Sequence, residues 1–316
     1  MKRIIITGAS GLVATELTVR LLSETDACLF LLSTNPDKIK HRYINNQERL
    51  SYFTIESFAQ FVEDNKGCCH FDVCIHTAFS RSSNGNQIAA SLDYQQQLLR
   101  ILKQTDLKIF VNISSQSVYG KLSEPLWTET VPVDPDYLYA MGKYSSEIIT
   151  RLMLENTGIK WTNIRLCSVC ENARFVRIFI RNAIEGKPIH LTAPNQGCSF
   201  IDVQDVADAL THFVSLADRI DLEKVYNLGA NLVNTIGDIA LRVKNIGETK
   251  YSLPPIIVTE SDSDNHATVG MDSHMFMQAF NWNPKRNMND MIDEMFGAIM
   301  TTMLCKRPKM TYCKNQ

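Results

Sequence analysis

Apolar runs of strand length alternate with helical patterns along the first two thirds of the chain. The apolar runs cover residues 3–7, 27–32, 71–77, 108–114 and 160–166, and residues 50–55 form a weaker strand candidate. Between them, residues 12–22, 88–103 and 137–155 carry apolar side chains at helical spacing. Continuous apolar strands that alternate with helices are typical of a parallel sheet covered on both faces. The pattern therefore predicts an α/β fold with a doubly wound parallel sheet.

The pattern becomes less regular after Arg165. Helical spacing returns at residues 178–185, 203–216, 236–243, 273–280 and 288–303, and a short strand is predicted at residues 224–228. Turn residues at 186–188 and the Pro254-Pro255 pair interrupt it. We therefore predict a Rossmann-like domain of residues 1–168, to which residues 200–230 return. A smaller C-terminal substrate-binding lobe is predicted from residues 169–199 and 231–316.

A glycine-containing turn, TGASGLVA, directly follows the first apolar run at residues 7–14. Glycine lets backbone N–H groups approach a pyrophosphate at the positive end of the next helix, and a small residue such as Ala14 allows close packing. The strand before the turn and the helix after it are the context that such a site requires. The turn predicts a dinucleotide-binding site with contacts from Gly8, Ser10, Gly11 and Leu12.

The end of the second apolar run bears on the choice of dinucleotide. NAD-specific sites usually place an acidic residue there, on the ribose 2′-hydroxyl. This chain instead has Ser33 and Thr34, which can hydrogen-bond a 2′-phosphate, followed by Lys38, Lys40 and Arg42, which can supply charge. We expect NADP to be preferred over NAD as the cofactor. The alternative, that these side chains belong to a solvated loop, stays open.

Tyr139 and Lys143 lie one helical turn apart in the sequence YAMGK, so both can face one cleft. A free tyrosine has a pKa near ~10, and a neighbouring cation favours the phenolate, which makes proton exchange with an alcohol or ketone feasible. Upstream, the serine-rich run SSQSVYG at residues 114–120 offers the Ser115 hydroxyl to hold the substrate oxygen. Together with the glycine turn, these residues indicate a nicotinamide-dependent enzyme.

Composition and charge narrow the class of protein. The 316 residues are 45% hydrophobic, and 32 basic against 34 acidic side chains give a formal net charge of -2, so we expect no nucleic-acid partner. No apolar run approaches the roughly 18 residues that span a bilayer, and Met1-Lys2-Arg3 leads directly into the first strand. We expect a cytoplasmic protein that does not bind membranes.

The cysteines suggest neither disulfides nor a metal site. Nine cysteines form an odd set, and several lie in apolar runs, where a free cysteine behaves as a small hydrophobic residue. Cys167 and Cys170 form a lone Cys-x-x-Cys without a second pair at zinc spacing. We therefore expect reduced thiols and no metal.

As a set, several segments resemble the extended short-chain dehydrogenase/reductase family, in its NAD(P)-dependent epimerase/dehydratase branch, whose members act on nucleotide sugars. The segments are TGASGLVA, FDVCIHTA, SSQSVYG, TETVPVDPDYLYAMGKYSSE, NIRL, SFIDVQDVADAL and VYNLGA, within residues 2–296. The resemblance implies that Ser115 binds the reacting oxygen and that Tyr139 is the catalytic acid/base. It also implies that Lys143 binds the nicotinamide ribose and lowers the pKa of Tyr139.

Further roles follow from the same resemblance. It implies that His76, Thr77 and Ala78 line the cofactor, although His76 is equally compatible with a packed histidine at a strand end. Asp202 and Asp205 match a structural motif that orients loops and caps a helix. The helices at 88–103 and 137–155 are where members of the family dimerise, so we expect a homodimer.

The chain departs from the family at positions near the substrate. Where dehydratases place an Asp-Glu pair after the active-site hydroxyl, this chain has Gln116 and Ser117, so we expect no dehydratase activity. Ser168 stands where an asparagine usually meets the substrate, and the arginine that grips the nucleotide diphosphate is replaced around Cys198-Ser199. The candidate substrate contacts are Ser80, Arg81, Gln116, Ser117 and Ser168. Arg81 either meets a substrate carboxylate or phosphate, or caps its loop in solvent.

Three functions remain. The leading hypothesis is an NAD(P)-dependent oxidoreductase that reduces a ketone, or oxidises the matching alcohol, on a sugar-like or polar small substrate. The alternative is a nucleotide-sugar epimerase that retains its NAD. The third is a non-catalytic dinucleotide-binding protein, because a fold does not determine a function.

Overall fold

The computed structural model describes residues 1–120, 126–260 and 270–305, and its chain forms two compact units. The first contains Met1–Val169, Ser199–Val233 and Ala267–Lys285, and the second contains Cys170–Cys198, Asn234–His266 and Arg286–Gln316. The lobe predicted at 231–316 includes residues 270–285, which the structure groups with the first unit. Residues 261–269 and 306–316 of that predicted lobe lie outside the described residues.

The observed strands of the large sheet lie close to the apolar runs predicted from the sequence. In chain order the strands are β1 (Arg3–Thr7), β2 (Cys28–Leu32), β3 (Leu50–Phe53), β4 (His70–His76), β5 (Asp106–Ser115), β6 (Lys160–Leu166), β7 (Ser168–Val169), β8 (Ile189–Leu191), β9 (Gly197–Ile201), β10 (Val225–Leu228), β11 (Val233–Thr235) and β12 (Val258–Glu260). Seven of them form one sheet in the order β10-β6-β5-β4-β1-β2-β3. All of its neighbouring strands are parallel, which confirms the predicted fold class.

The helices lie mainly between the strands along the chain. They are α1 (Leu12–Glu24), α2 (Asp37–Lys40), α3 (Ile55–Asp64), α4 (Gly85–Leu102), α5 (Leu138–Leu154), α6 (Arg174–Ile184), α7 (Val203–Leu216), α8 (Ile236–Thr249), α9 (His274–Ala279) and α10 (Met288–Cys305), and 3-10 turns cover Ile44–Arg49, Gln116–Tyr119 and Cys170–Asn172. None of the helices in the described part of the chain is long and apolar enough to cross a membrane.

Side chains that point alternately to the two faces of the sheet divide the core of the first unit into two layers. Ile4 and Ile6 of β1 pack in the cluster that contains α1 and α7, whereas Ile5 packs in the cluster that contains α3 and α4. All three isoleucines have 0% exposure. Because successive strand residues point to opposite faces, an apolar strand needs helices on both sides of the sheet. The sheet is therefore doubly wound, as the sequence predicts.

Helix α3 is an element that the sequence reasoning missed. Thr54 caps it, since its Oγ1 accepts from the Ser57 N–H at 3.2 Å while the Ser57 Oγ accepts from the Thr54 N–H at 2.9 Å. Phe58 and Val62, one turn apart, are its buried residues. The reciprocal cap and the i, i+4 apolar pair were available as sequence signals.

The second unit packs three helices together with a short parallel strand pair. Its helices are α6, α8 and α10, and β12 pairs with β8 with Val258 opposite Ile189. Its buried residues include Phe179 of α6, Val243 of α8 and Phe296 of α10. These are the apolar positions at helical spacing in the less regular part of the sequence.

Candidate functional site

The turn between β1 and α1 requires glycine. Gly8 has φ +64°, a left-handed conformation that most residues with a side chain avoid. A Cβ at Gly8 would also lie 2.9 Å from both N and Cα of Ala78, the residue just beyond the end of β4. The Gly11 N–H donates to the Gly8 carbonyl at 2.8 Å, which closes the turn. Glycine is therefore needed here both for conformation and for space.

The turn leads into the N-terminus of a 13-residue helix. Gly11 is the N-cap of α1 and has no side-chain oxygen with which to cap it. The first N–H groups of a helix have no partner within the helix, and its N-terminus carries partial positive charge. Arg42 lies beside the turn, and its Nη1 donates to Thr15 Oγ1 at 2.9 Å and to the Ser10 carbonyl at 3.4 Å. Ser10 and Leu12 are exposed beside this N-terminus. This arrangement suits a phosphate group.

The segment after β2 lies at the carboxyl edge of the same sheet. Ser33 is 8% exposed and its Oγ accepts from the Asn35 N–H at 3.2 Å, whereas Thr34 and Lys38 are exposed. A cavity of about 330 Å³ opens beside them. Its lining comes from the ends of β2 and β3 and from α3 and α4, and consists of Ser33, Thr34, Thr54, Ile55, Glu56, Ala90, Asp93, Tyr94 and Gln97.

The ring of His76 is buried in the core at the end of β4. It is 2% exposed, its Nδ1 lies 2.8 Å from Thr7 Oγ1, and its ring stacks on Tyr94 and Phe110. Burial, together with the nearby charge of Lys143, lowers the pKa of His76 to about 3. The side chain therefore fits the packed alternative. Next to it, Thr77 Oγ1 donates to the Thr7 carbonyl at 2.7 Å, which ties β4 to β1.

Ser115 ends β5 with its hydroxyl oriented by its neighbours. Its Oγ accepts from the Ser117 N–H at 3.2 Å and from the Ser117 hydroxyl at 3.0 Å. With two bonds accepted, the Ser115 proton is left to donate outward. Beside it, Gln116 Nε2 donates to Ser168 Oγ at 2.9 Å. The structure thus brings together three of the predicted substrate contacts around Ser115.

Tyr139 of α5 interacts with this serine. Burial raises the pKa of the Tyr139 phenol, and it outweighs the charge of Arg81 and the nearby Ser115 hydroxyl, which both lower that pKa. The expectation that Lys143 lowers this pKa is not met, because the largest effect at Tyr139 is loss of water and the cation that acts on it is Arg81. The ring of Tyr137 stacks on Tyr139 with centroids 6.3 Å apart.

Lys143 lies one turn further along α5 and is 5% exposed. Its Nζ donates to the Ile113 carbonyl of β5 at 2.8 Å. Burial lowers its pKa to about 7, an effect that Glu147 opposes and Arg81 adds to. The ammonium and the neutral amine are therefore both accessible near neutral pH.

Glu147 is a residue that the sequence reasoning missed. It lies one turn after Lys143, where its carboxylate accepts from Arg165 at 3.0 Å and 2.9 Å and from the Ser114 hydroxyl at 2.5 Å. The guanidinium of Arg165 also lies 4.8 Å from the centroid of Tyr119. The spacing of Tyr139, Lys143 and Glu147 at four-residue intervals on one helix was a sequence signal for it.

The loop after β4 contains the last two predicted substrate contacts. Ser80 is engaged by α4, since its N–H donates to Ser91 Oγ at 3.0 Å and its hydroxyl to Gln87 at 3.2 Å. Arg81 is exposed, and its positive charge lowers the pKa of Tyr139 and the pKa of Lys143. Solvent capping and substrate binding by Arg81 both remain compatible with this position.

Ten of the predicted residues fall into two groups along the sheet edge. One group lies near the ends of β5 and β6 and has side chains suited to proton transfer; it contains Ser115, Gln116, Ser117, Ser168, Tyr139 and Lys143. The other group lies near the ends of β1 and β2 and has side chains suited to binding phosphate and hydroxyl groups; it contains Ser10, Ser33, Thr34 and Lys38. In parallel sheets, ligands bind outside the carboxyl ends of the strands.

Comparison with models of known protein families identifies the family of this chain. The model of the NAD dependent epimerase/dehydratase family matches residues 4–229, well over half of the chain. The chain therefore belongs to this family, whose members are enzymes of the short-chain dehydrogenase/reductase superfamily. The family predicted from the sequence is confirmed.

Individual curated relatives are distant. The chain is 25% identical over 272 residues to dTDP-glucose 4,6-dehydratase of Neisseria meningitidis, with 73% of this chain and 72% of that protein covered. It is 22% identical over 262 residues to a trifunctional UDP-glucose 4,6-dehydratase, epimerase and reductase of Arabidopsis thaliana. That match covers 76% of this chain but 39% of the plant enzyme.

Solved structures show the same fold. UDP-glucose 4-epimerase of Thermotoga maritima, solved with UDP-glucose, has a TM-score of 0.74 at 18% identity, with 95% of this chain and 99% of that chain covered. UDP-glucuronic acid 4-epimerase of Bacillus cereus, solved with NAD, has a TM-score of 0.76 at 18% identity over 95% and 96% of the two chains. At these identities the likeness shows the fold alone.

Proposed function

We propose that the chain is an NAD(P)-dependent oxidoreductase that reduces a ketone, or oxidises the matching alcohol, on a sugar-like or polar small substrate. The observation that carries the proposal is that the Ser115 hydroxyl lies close enough to Tyr139 to act on the pKa of its phenol, with Lys143 buried one turn away on the same helix. Two O–H groups that meet at one point can hold and protonate a single substrate oxygen.

The residues of the chain fit this chemistry. A bound nicotinamide dinucleotide supplies or accepts the hydride. Ser115 donates to the substrate oxygen, because Ser117 already occupies its acceptor sites. Tyr139 gives the proton to that oxygen, or takes it in the reverse direction. Lys143, with a pKa of about 7, can exchange a proton near neutral pH and binds the nicotinamide ribose.

The turn after β1 fits the pyrophosphate of the dinucleotide. Gly8 leaves no side chain between the turn and the end of β4, and the uncapped N-terminus of α1 follows it. For the 2′-position we propose a phosphate, hence NADP in preference to NAD. Arg42 supports this choice because its Nη1 lies within 3.4 Å of the Ser10 carbonyl, and no carboxylate follows Leu32 in the next four residues.

Titration of the purified chain with NADPH and with NADH, followed by fluorescence, tests this proposal without a substrate. We expect NADPH to bind more tightly. Arg42→Gln should weaken NADPH binding about tenfold or more, the cost of one charge-assisted contact, while NADH binding changes less than twofold. Arg100→Gln, at an exposed arginine of α4, is the matched control. Failure to bind either dinucleotide would overturn the proposal.

An epimerase that retains NAD is the second candidate, and the match to the model of the NAD dependent epimerase/dehydratase family favours it. Such an enzyme returns the hydride to its substrate, so it needs no exchange of cofactor. Denaturation of the purified chain and chromatography of the released small molecules separate the two functions. One equivalent of NAD would favour the epimerase, whereas exchangeable NADPH would favour the reductase.

We propose a nucleotide-linked sugar as one substrate class, because the curated relatives are named for such substrates. Gln116 and Ser168, joined at 2.9 Å, add an amide and a hydroxyl beside Ser115 that suit a polyol. Gln116 and Ser117 cannot act as a carboxylic acid and a carboxylate base, so elimination of water is not proposed. Arg81, whose charge acts on Tyr139, is the proposed contact for an anionic group of the substrate.

A second copy of the chain is the proposed macromolecular partner. Helix α5 exposes apolar residues along one face, which are Leu138, Met141, Ile148 and Leu152. Leu152 is 77% exposed, and an apolar stripe at this spacing is typical of a helix-packing surface. Sedimentation should show a dimer, and Met141→Glu with Leu152→Glu should dissociate it.

We propose a cytoplasmic location from the sequence. Burial raises the pKa of the Cys74 thiol and raises that of the Cys167 thiol to about 12, so both stay protonated. Buried thiols of this kind suit a reducing compartment. Fractionation of cells that express the chain, with detection of the protein in each fraction, tests the location.

A further inference from the structure

The ring of Phe79 lies on the two proposed catalytic side chains at once. Lys143 Nζ is 4.2 Å from its centroid, well within the range of a cation–π contact. The ring of Tyr139 meets it edge-on, with centroids 6.0 Å apart and planes at 79°. Phe79 is half-buried at the start of the loop after β4, and the sequence reasoning assigned it no role.

Gly142 makes room for this ring. It lies on α5 directly before Lys143 and is buried. A Cβ at Gly142 would lie 3.1 Å from Phe79 Cζ and would collide with Ile88 Cγ2 of α4. Since glycine in the middle of a helix is less stable than alanine, its presence is explained by the close approach of Phe79 and α4.

The other groups around Lys143 do not orient its ammonium in the same way. The Ile113 carbonyl of β5 accepts one proton at 2.8 Å. Glu147 on α5 acts on Lys143 through its charge while its oxygens are bonded to Arg165 and Ser114. Arg81 from the loop after β4 repels the ammonium, Tyr139 precedes it on α5, and His76 at the end of β4 is neutral above its pKa of about 3.

An aromatic face affects an ammonium in two opposite ways. Its quadrupole attracts the cation, and its bulk keeps water away. An aliphatic side chain of similar size would keep water away without attracting the cation. These two effects can be separated by substitution.

We propose that Phe79 is a positioning residue, whose ring holds the Lys143 ammonium against the Ile113 carbonyl and fixes it relative to Tyr139. This inference rests on the proposed function, in which Lys143 and Tyr139 act at one site. Phe79 acts through these two side chains and is not itself assigned a chemical step.

The titration of Lys143 measures this role directly. The protein is prepared with ¹³C-labelled lysine, and the Cε chemical shift is followed with pH by NMR. The Lys143 signal is identified by its loss in Lys143→Met. In Phe79→Leu the side chain stays apolar but has no aromatic face, so we expect the Lys143 pKa to fall by roughly one unit. In Phe79→Ala water reaches the ammonium, so we expect the pKa to rise toward ~10.4.

Two further variants make the result decisive. Phe79→Tyr keeps the aromatic face and should keep the wild-type titration. Phe61→Leu removes a half-buried ring from the cluster with Phe30 and Phe53, and should also leave Lys143 unchanged. Shifts of opposite sign in Phe79→Leu and Phe79→Ala would establish the role. An unchanged or raised pKa in Phe79→Leu would overturn it, because the ring would then be only a space filler.

This experiment is independent of the dinucleotide titration. If neither dinucleotide binds but the two variants shift the Lys143 pKa in opposite directions, the proposed function fails and the contact stands. If NADPH binds but Phe79→Leu leaves the pKa unchanged, the role of Phe79 fails and the proposed function stands.

Discussion

Glu147 accepts two hydrogen bonds from Arg165, at 3.0 Å from Nε and 2.9 Å from Nη2, and both side chains are 6% exposed. The pair joins α5 to β6, and the Ser114 hydroxyl adds β5 through a third bond to the same carboxylate. Because Glu147 lies one turn after Lys143, this contact holds the helix that presents Tyr139 and Lys143 against the strand that presents Ser115.

Loss of one partner should therefore be costly. Glu147→Gln leaves the Arg165 guanidinium buried without a countercharge, and we expect the free energy of unfolding to fall by about 3–5 kcal/mol. Urea denaturation followed by circular dichroism measures it. Glu24→Gln is the control, because Glu24 forms an i, i+4 pair with Arg20 at 2.9 Å but is much more exposed, and should cost under about 1 kcal/mol. Equal losses would contradict this account of the buried pair.

Gly8→Ala should damage both folding and cofactor binding. The positive φ and the 2.9 Å approach to Ala78 act together, so we expect a loss of about 2–5 kcal/mol in the free energy of unfolding. Gly67→Ala separates the two causes, since Gly67 has φ +81° but open space around its Cβ position, and should cost about 1–2 kcal/mol. The idea fails if Gly8→Ala is no worse than Gly67→Ala.

The buried Lys143 predicts a rise of stability with pH. Its pKa is about 7 in the folded chain and ~10.4 when unfolded, so between these values the unfolded state binds more protons and stability increases with pH. The destabilisation is complete below pH 7 and disappears as the pH rises toward the unfolded value. Lys143→Met should remove this dependence.

Urea midpoints at pH 6.5 and pH 9 test this linkage. The stability gained by Lys143→Met should be roughly 2–3 kcal/mol larger at pH 6.5 than at pH 9. Lys103→Met, at the exposed C-cap of α4, controls for loss of a lysine and should show the same difference from wild type at both pH values. A gain for Lys143→Met that does not change with pH would show that Lys143 is not titrating near neutrality.

Tyr139→Phe should lower turnover by about 10²–10⁴-fold, because the acid/base group is removed while the shape is kept. Dinucleotide affinity should change less than about twofold, since the remaining contacts with the cofactor are untouched. Tyr144→Phe, one residue beyond Lys143 on the same helix, is the matched control. Wild-type turnover in Tyr139→Phe would exclude the catalytic assignment, and absence of any turnover in the wild type would favour the non-catalytic reading.

The sequence located nearly all of the large elements because their signals are local. Five apolar runs coincide with strands of the seven-stranded sheet to within two residues, and the predicted helix at 137–155 is observed as Leu138–Leu154. The three-residue strands β8 and β12 were missed because their local signals are short, whereas α3 was missed although its cap and its apolar pair are present in the sequence. The two-residue β7 is held by pairing of Ser168 with Phe200, which lies 32 positions away in the sequence.

The type and order of residues along the chain were enough to predict the family, the parallel sheet and the three candidate catalytic residues Ser115, Tyr139 and Lys143. The signals for them are local, because a turn that needs glycine and a pair of residues at helical spacing are properties of neighbouring residues. Only the tertiary structure decided their environment. Burial depends on segments that are far apart in the sequence. It raises the pKa of Tyr139, keeps the His76 ring neutral in the core and lowers the pKa of Lys143 to about 7. The contact between Phe79 and Lys143 joins residues that are 64 positions apart, so no local sequence pattern could have predicted it.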